Sequence, residues 1–110
     1  MIWETINQIE AAIQNAKSLD GTQKKELVDL VSTLKTEVSE LSKTYPEHTQ
    51  SITDFAEVSI HEAIREEKNP QLLKLSLQGL STSVKGLEGS HPKLVAIVNS
   101  ICLTLSNIGI

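Results

Sequence analysis

Four side chains near the middle of the chain, Asp54, Glu57, His61 and Arg65, recur at steps of three and four residues, the spacing that sets them on one face of a helix. Two carboxylates and an imidazole so placed have the donor types that hold a divalent metal. Both helical metal motifs that this pattern approaches fail at a required ligand. A di-iron bundle site needs Glu-x-x-His, and Val58 stands where that glutamate belongs. His61-Glu62-Ala63-Ile64-Arg65 opens like the zinc-protease helix and closes on arginine where the second histidine is needed. The spacing therefore predicts a solvated face laced by ion pairs, each worth a few tenths of a kcal/mol, with no metal and no cofactor.

The remaining candidates read the same way. His48 lies in the first turn after Pro46, where a histidine is solvated, and takes no role. In Ser90-His91-Pro92 either Ser90 or His91 is placed to cap the free N–H groups of the last helix. Cys102, between Ile101 and Leu105, is expected to be a buried, inert thiol, and a single cysteine cannot form an internal disulfide. There is no Gly-rich phosphate loop, no CxxC pair and no catalytic-serine elbow, so no catalytic residue is assigned and no enzyme is expected.

The elements that must carry these residues are all helical. Of 110 residues, 32 are Ile, Leu or Val and 3% are aromatic, so the chain has an aliphatic core and the size of one domain, 1–110. Ile2, Ile6, Ile9, Ile13 and Ala16 mark a helix over about 2–17, stopped by the turn Asp20-Gly21. Leu27, Val31, Leu34, Val38 and Leu41 mark 21–43, with Asp20 as its cap. Pro46 opens 46–68, and Asn69-Pro70 opens 70–88, whose stripe is Leu73, Leu77, Leu80, Val84 and Leu87. Gly89 is placed to end that helix in a left-handed conformation. The fifth, 92–107, bears Leu94, Val98, Ile101 and Leu105 on one face and Val95, Ile97 and Cys102 on another, with Gly109 closing it. Short connections favour antiparallel neighbours, so the expected class is an all-α bundle of four to five helices.

Charge is unevenly spread. Residues 1–69 hold 13 acids and 7 bases, net −6, whereas residues 70–110 hold Glu88 against Lys74, Lys85 and Lys93, net +2. The overall charge of −4 argues against nucleic acid as a partner. Two helices so poor in charge are either central or covered by another chain. Leu94 to Ile110 is 17 residues with Asn99, Ser100, Thr104, Ser106 and Asn107 among them, too short and too polar for the roughly 20 apolar residues of a membrane span. The expected interface is therefore part of the surface of the fourth and fifth helices, with Leu94, Val95, Ile97, Val98, Ile101, Cys102 and Leu105 of the fifth as its residues, joined in a homodimer. No basic stretch precedes an apolar one at Met-Ile-Trp-Glu-Thr, so no signal peptide is expected and a reducing cytoplasm is the default.

The run Glu88-Gly89-Ser90-His91-Pro92-Lys93-Leu94 and the ending Leu105-Ser106-Asn107-Ile108-Gly109-Ile110 resemble a small bacterial family, domain of unknown function 4404. Leu19-Asp20 before a leucine-rich helix resembles its first half, and Leu87 stands where the family often has Phe. The resemblance implies a bacterial cytoplasmic protein and carries no reaction or ligand. The expected function is an interaction module that self-associates, the alternative being a carrier of a lipid or other apolar small molecule between helices.

Overall fold

The computed structural model describes residues 2–109; Met1, Ile110 and the side chain of Ile2, the first of the predicted apolar stripe, lie outside the described residues. Five helices follow one another: α1 (Ile2–Asn15), α2 (Gly21–Ser42), α3 (Pro46–Ile64), α4 (Pro70–Ser83) and α5 (Pro92–Gly109). The fold is all-α, as the periodicity requires. Most of the predicted stripes are buried: Ile6, Ile9 and Ile13 of α1, the five aliphatic residues Leu27 to Leu41 of α2, and Leu94, Val98, Ile101 and Leu105 of α5 form one core with Ile52, Ile60 and Leu80, whereas Leu77 and Leu87 are half-buried and Phe55, expected on the apolar stripe of the third helix, is exposed. α3 packs on all four other helices and α5 on α2, α3 and α4, while α4 touches only α3 and α5 among the described residues.

Local chemistry sets the helix starts. Asp20 accepts from the Gln23 amide at 2.8 Å and the Gln23 side chain accepts from the Asp20 amide at 3.0 Å, a reciprocal cap that satisfies two free donors. Asn69 caps α4 through Leu72 N at 3.1 Å, and Pro46 and Pro70 occupy first-turn positions where no N–H is needed.

The helix ends depend on contacts distant in sequence. Lys24 Nζ donates to Gln14 O at the end of α1 at 3.0 Å. Ser18 Oγ donates to Ile64 O at 2.6 Å, and Lys68 Nζ donates to Ala63 O, both at the end of α3. Last-turn carbonyls have no intrahelical partner, and a donor, above all a cationic one, is favoured at that negative end of the helix dipole.

Two ends differ from the expected ones. α3 stops at Ile64, four residues short of 68: Arg65 is extended, with ψ 139°, because the segment into Asn69-Pro70 must straighten before the proline and Glu66 and Glu67 would sit at a negative helix end. α4 stops at Ser83 instead of 88. Gly86, not Gly89, takes the left-handed conformation, at φ 88°, and its amide donates to Glu88 Oε2 at 3.0 Å. At the other end of the chain α5 runs on through Gly109, which is buried against Leu73.

Candidate functional site

On the polar face of α3 Asp54 and His61 are exposed and Glu57 and Arg65 half-buried, and the face is not laced as the spacing predicts. Asp54 accepts from Gln50 Nε2 at 2.7 Å, and Arg65 pairs at 2.8 Å with Glu62, a residue outside the expected cluster that is only 8% exposed. His61 is exposed and borders an open groove of about 380 Å³ between α1 and α3, with Gln8, Ala12, Glu57 and Val58. Among the described residues no three metal-binding side chains gather.

The fifth helix corrects the expected interface. Leu94, Val98, Ile101 and Leu105 are fully buried within the chain and cannot meet a second copy without unfolding it. Val95, Ile97 and Cys102 are half-buried and pack against the same core. Ile97 borders a groove with Thr33 and Glu37 of α2, and Cys102 Sγ lies 4.0 Å from Leu77 O of α4, so neighbouring helices flank α5 on both sides. Burial raises the pKa of the Cys102 thiol and thereby lowers its nucleophilicity at neutral pH. With 18 residues and a mean hydropathy of 1.2, α5 is long and apolar enough to cross a membrane by those measures. Its length therefore does not exclude a span, contrary to the residue count; the role seen here is packing against α2, α3 and α4.

The capping expectation at Ser90 and His91 also changes. His91 is the residue whose carbonyl accepts the first helical bond, from Val95 N at 3.2 Å. Its ring Nδ1 and Ser90 Oγ bond each other at 3.0 Å, and among the described residues neither side chain bonds an α5 amide. The junction is held instead by the backbone, His91 N donating to Leu87 O at 2.7 Å.

The feature that sequence reading missed is the seam between α3 and α4. Two contacts fix these helices as antiparallel neighbours, His48 Nε2 donating to Ser83 O at 2.6 Å and the Phe55 ring lying against Gly79, and Leu73 and Ala63 both border Gly109 of α5. A Cβ at residue 79 would collide with the Phe55 ring, so glycine is what lets the ring rest on α4. His48, given no role above, thus ties off the end of α4. Along the outer side of the seam Phe55 is 41% exposed, Val58 47%, Leu72 44% and Leu75 58%. Beneath it Ser59 is fully buried and its hydroxyl has no hydrogen-bond partner among the described residues.

A family model described as domain of unknown function (DUF4404) matches residues 29–110, which is 82 of the 110 residues. The chain belongs to this family. The match to DUF4404 begins inside α2 and takes in all of α3, α4 and α5, so the whole seam lies within the family's span. Leu19-Asp20, read above as part of the resemblance, precedes it. No curated protein and no solved structure matches the chain.

Within this DUF4404 chain one signal for the seam was present in the sequence. Leu72 and Leu75 lie off the α4 stripe of Leu73, Leu77 and Leu80, and apolar residues that fall outside a helix's core face need a second cover.

Proposed function

We propose that this chain is a non-catalytic interaction module that self-associates as a homodimer through its apolar C-terminal half. The observation that carries the reading is the outer side of α4. A helix at the edge of a bundle normally turns charge to water, yet Lys74 is the only charged residue in α4, and Leu72 and Leu75 face outward beside Phe55 and Val58. A contiguous apolar patch rimmed by polar residues marks an interaction surface. The contact moves from α5, whose main apolar stripe is buried within the chain and which, among the described residues, leaves Leu103 as its one large exposed hydrophobic side chain, to α4, where Leu72 and Leu75 are both exposed and the neighbours are only α3 and α5.

Native mass spectrometry at micromolar concentration tests this reading. A species at twice 12.1 kDa is the expected result. A 12.1 kDa chain carrying a retained small mass supports the carrier instead, and a bare 12.1 kDa chain at every concentration overturns self-association.

A further inference from the structure

The outer surface of the α3–α4 hairpin is ordered in three parallel rows. Its middle row is apolar: Phe55 and Val58 on α3, Leu72 and Leu75 on α4. The α3 edge beyond that row is acidic, because Glu47, Asp54 and Glu57 recur at near-helical spacing with Gln50 and His61, and the one cation near that face, Arg65 just past the helix end, is paired with Glu62. The opposite, α4 edge carries Lys74, with Lys85 in the turn just past the helix end, and no acid.

From this pattern we infer that the self-association surface is the α3–α4 seam, with α3 of one copy lying along α4 of the other about a two-fold axis parallel to the helices. The inference rests on the self-association reading above and names its surface. A face bordered by an acidic row and a basic row is self-complementary across such an axis, because rotation sets each acidic row against the other copy's lysines. It is the logic by which charges flanking an apolar seam choose the partner and its direction in a helical bundle.

The register agrees. Phe55 lies beside Gly79 and His48 beside Ser83 in the antiparallel pair. With about 1.5 Å of rise per residue, Lys74 falls level with Ile60, within one turn of Glu57, and Lys85 falls level with Thr49, within one turn of Glu47. A rotation about an axis along the helices preserves level, so Lys74 meets Glu57 of the second copy and Lys85 meets Glu47. The apolar row exposes roughly 300 Å² if each full residue is worth about 150 to 200 Å², the size of a patch that is functional on a monomer. With a polar rim around it this makes a small, weak and reversible interface, to be sought at micromolar concentrations.

Sedimentation equilibrium across that range tests the surface and the pairing together. Leu75→Asp places a charge on the apolar row at a side chain already 58% exposed, so it keeps the helical circular dichroism signal and weakens the dimer at least 100-fold. Lys74→Glu and Glu57→Lys each weaken their own homodimers about three- to tenfold, through two like-charge contacts per dimer. Mixing those two variants restores wild-type affinity, because both contacts in the mixed dimer are again of opposite sign. A dimer that withstands Leu75→Asp and both charge reversals overturns this surface and leaves self-association standing. Dimers that respond to Leu75→Asp while the mixed variants gain nothing overturn the α3-to-α4 pairing. A wild-type chain that is monomeric throughout overturns both readings.

Discussion

The two C-terminal helices have nearly the same composition and opposite fates. α4 and α5 each carry one charged residue, Lys74 and Lys93, and each has apolar side chains on more than one face. α5 lies among α2, α3 and α4, so its principal stripe is fully buried and Val95, Ile97 and Cys102 are half-covered, with Leu103 alone of its large apolar side chains turned to water among the described residues. α4 has two neighbours, and Leu72 and Leu75 are left in water. A charge-poor helix is thus a sign that something covers it. Whether the cover is the chain itself or a second molecule depends on how many neighbours the topology supplies.

The contrast is broken most forcefully by truncating one leucine on each helix. Leu105→Ala, at a fully buried site, should lower the unfolding free energy by about 2 to 5 kcal/mol, whereas Leu75→Ala should change it by less than about 0.5 kcal/mol, both read from urea melts at a concentration where the chain is monomeric. Equal losses would erase the distinction between the two helices. Ile97→Asp sharpens it on the flank of α5. Since Ile97 packs on the core beside α2, the substitution should destabilise the monomer by roughly 1 to 3 kcal/mol, and a change in dimer affinity alone would put that flank back at the interface.

Smaller effects are expected at the helix termini. His48→Ala removes the donor to Ser83 O and should cost about 0.5 to 1.5 kcal/mol; amide hydrogen exchange should quicken at the C-terminal turn of α4 and not in α5. Smallest of all is the start of α5. Replacing Ser90 and His91 together by Ala should shift stability by less than about 0.5 kcal/mol, because their side chains bond each other and the backbone holds the junction. A loss above about 1 kcal/mol in the thermal melt would restore the side-chain cap.

Much of the architecture was legible because helical periodicity and capping are local. The core faces of α2 and α5 and the starts at Asp20, Pro46 and Asn69-Pro70 follow from spacing and from short-range donors and acceptors. The end of α4 was misplaced for a physical reason: Gly86 and Gly89 are equally able to turn left-handed, and the choice fell to Gly86 where Glu88 accepts its amide. His48 was unreadable as a tie to α4 because its partner, Ser83, is 35 residues away. A shortage of charge pointed to residues 70–110, and the larger count of apolar residues on α5 then drew the expectation to a helix whose main stripe the fold buries.

By itself the sequence determined which residues are helical, which face of each helix is apolar, and that the C-terminal part is poor in charge, since each of these depends on side chains within a turn or two of one another. Only the tertiary structure decided that α3 packs on all four other helices, that Phe55 rests on Gly79, and that Leu72 and Leu75 of α4 stay exposed. Those are relations between α3 and α4, set by how two antiparallel helices are rotated about their own axes against a shared core, and no periodicity within either helix encodes that rotation.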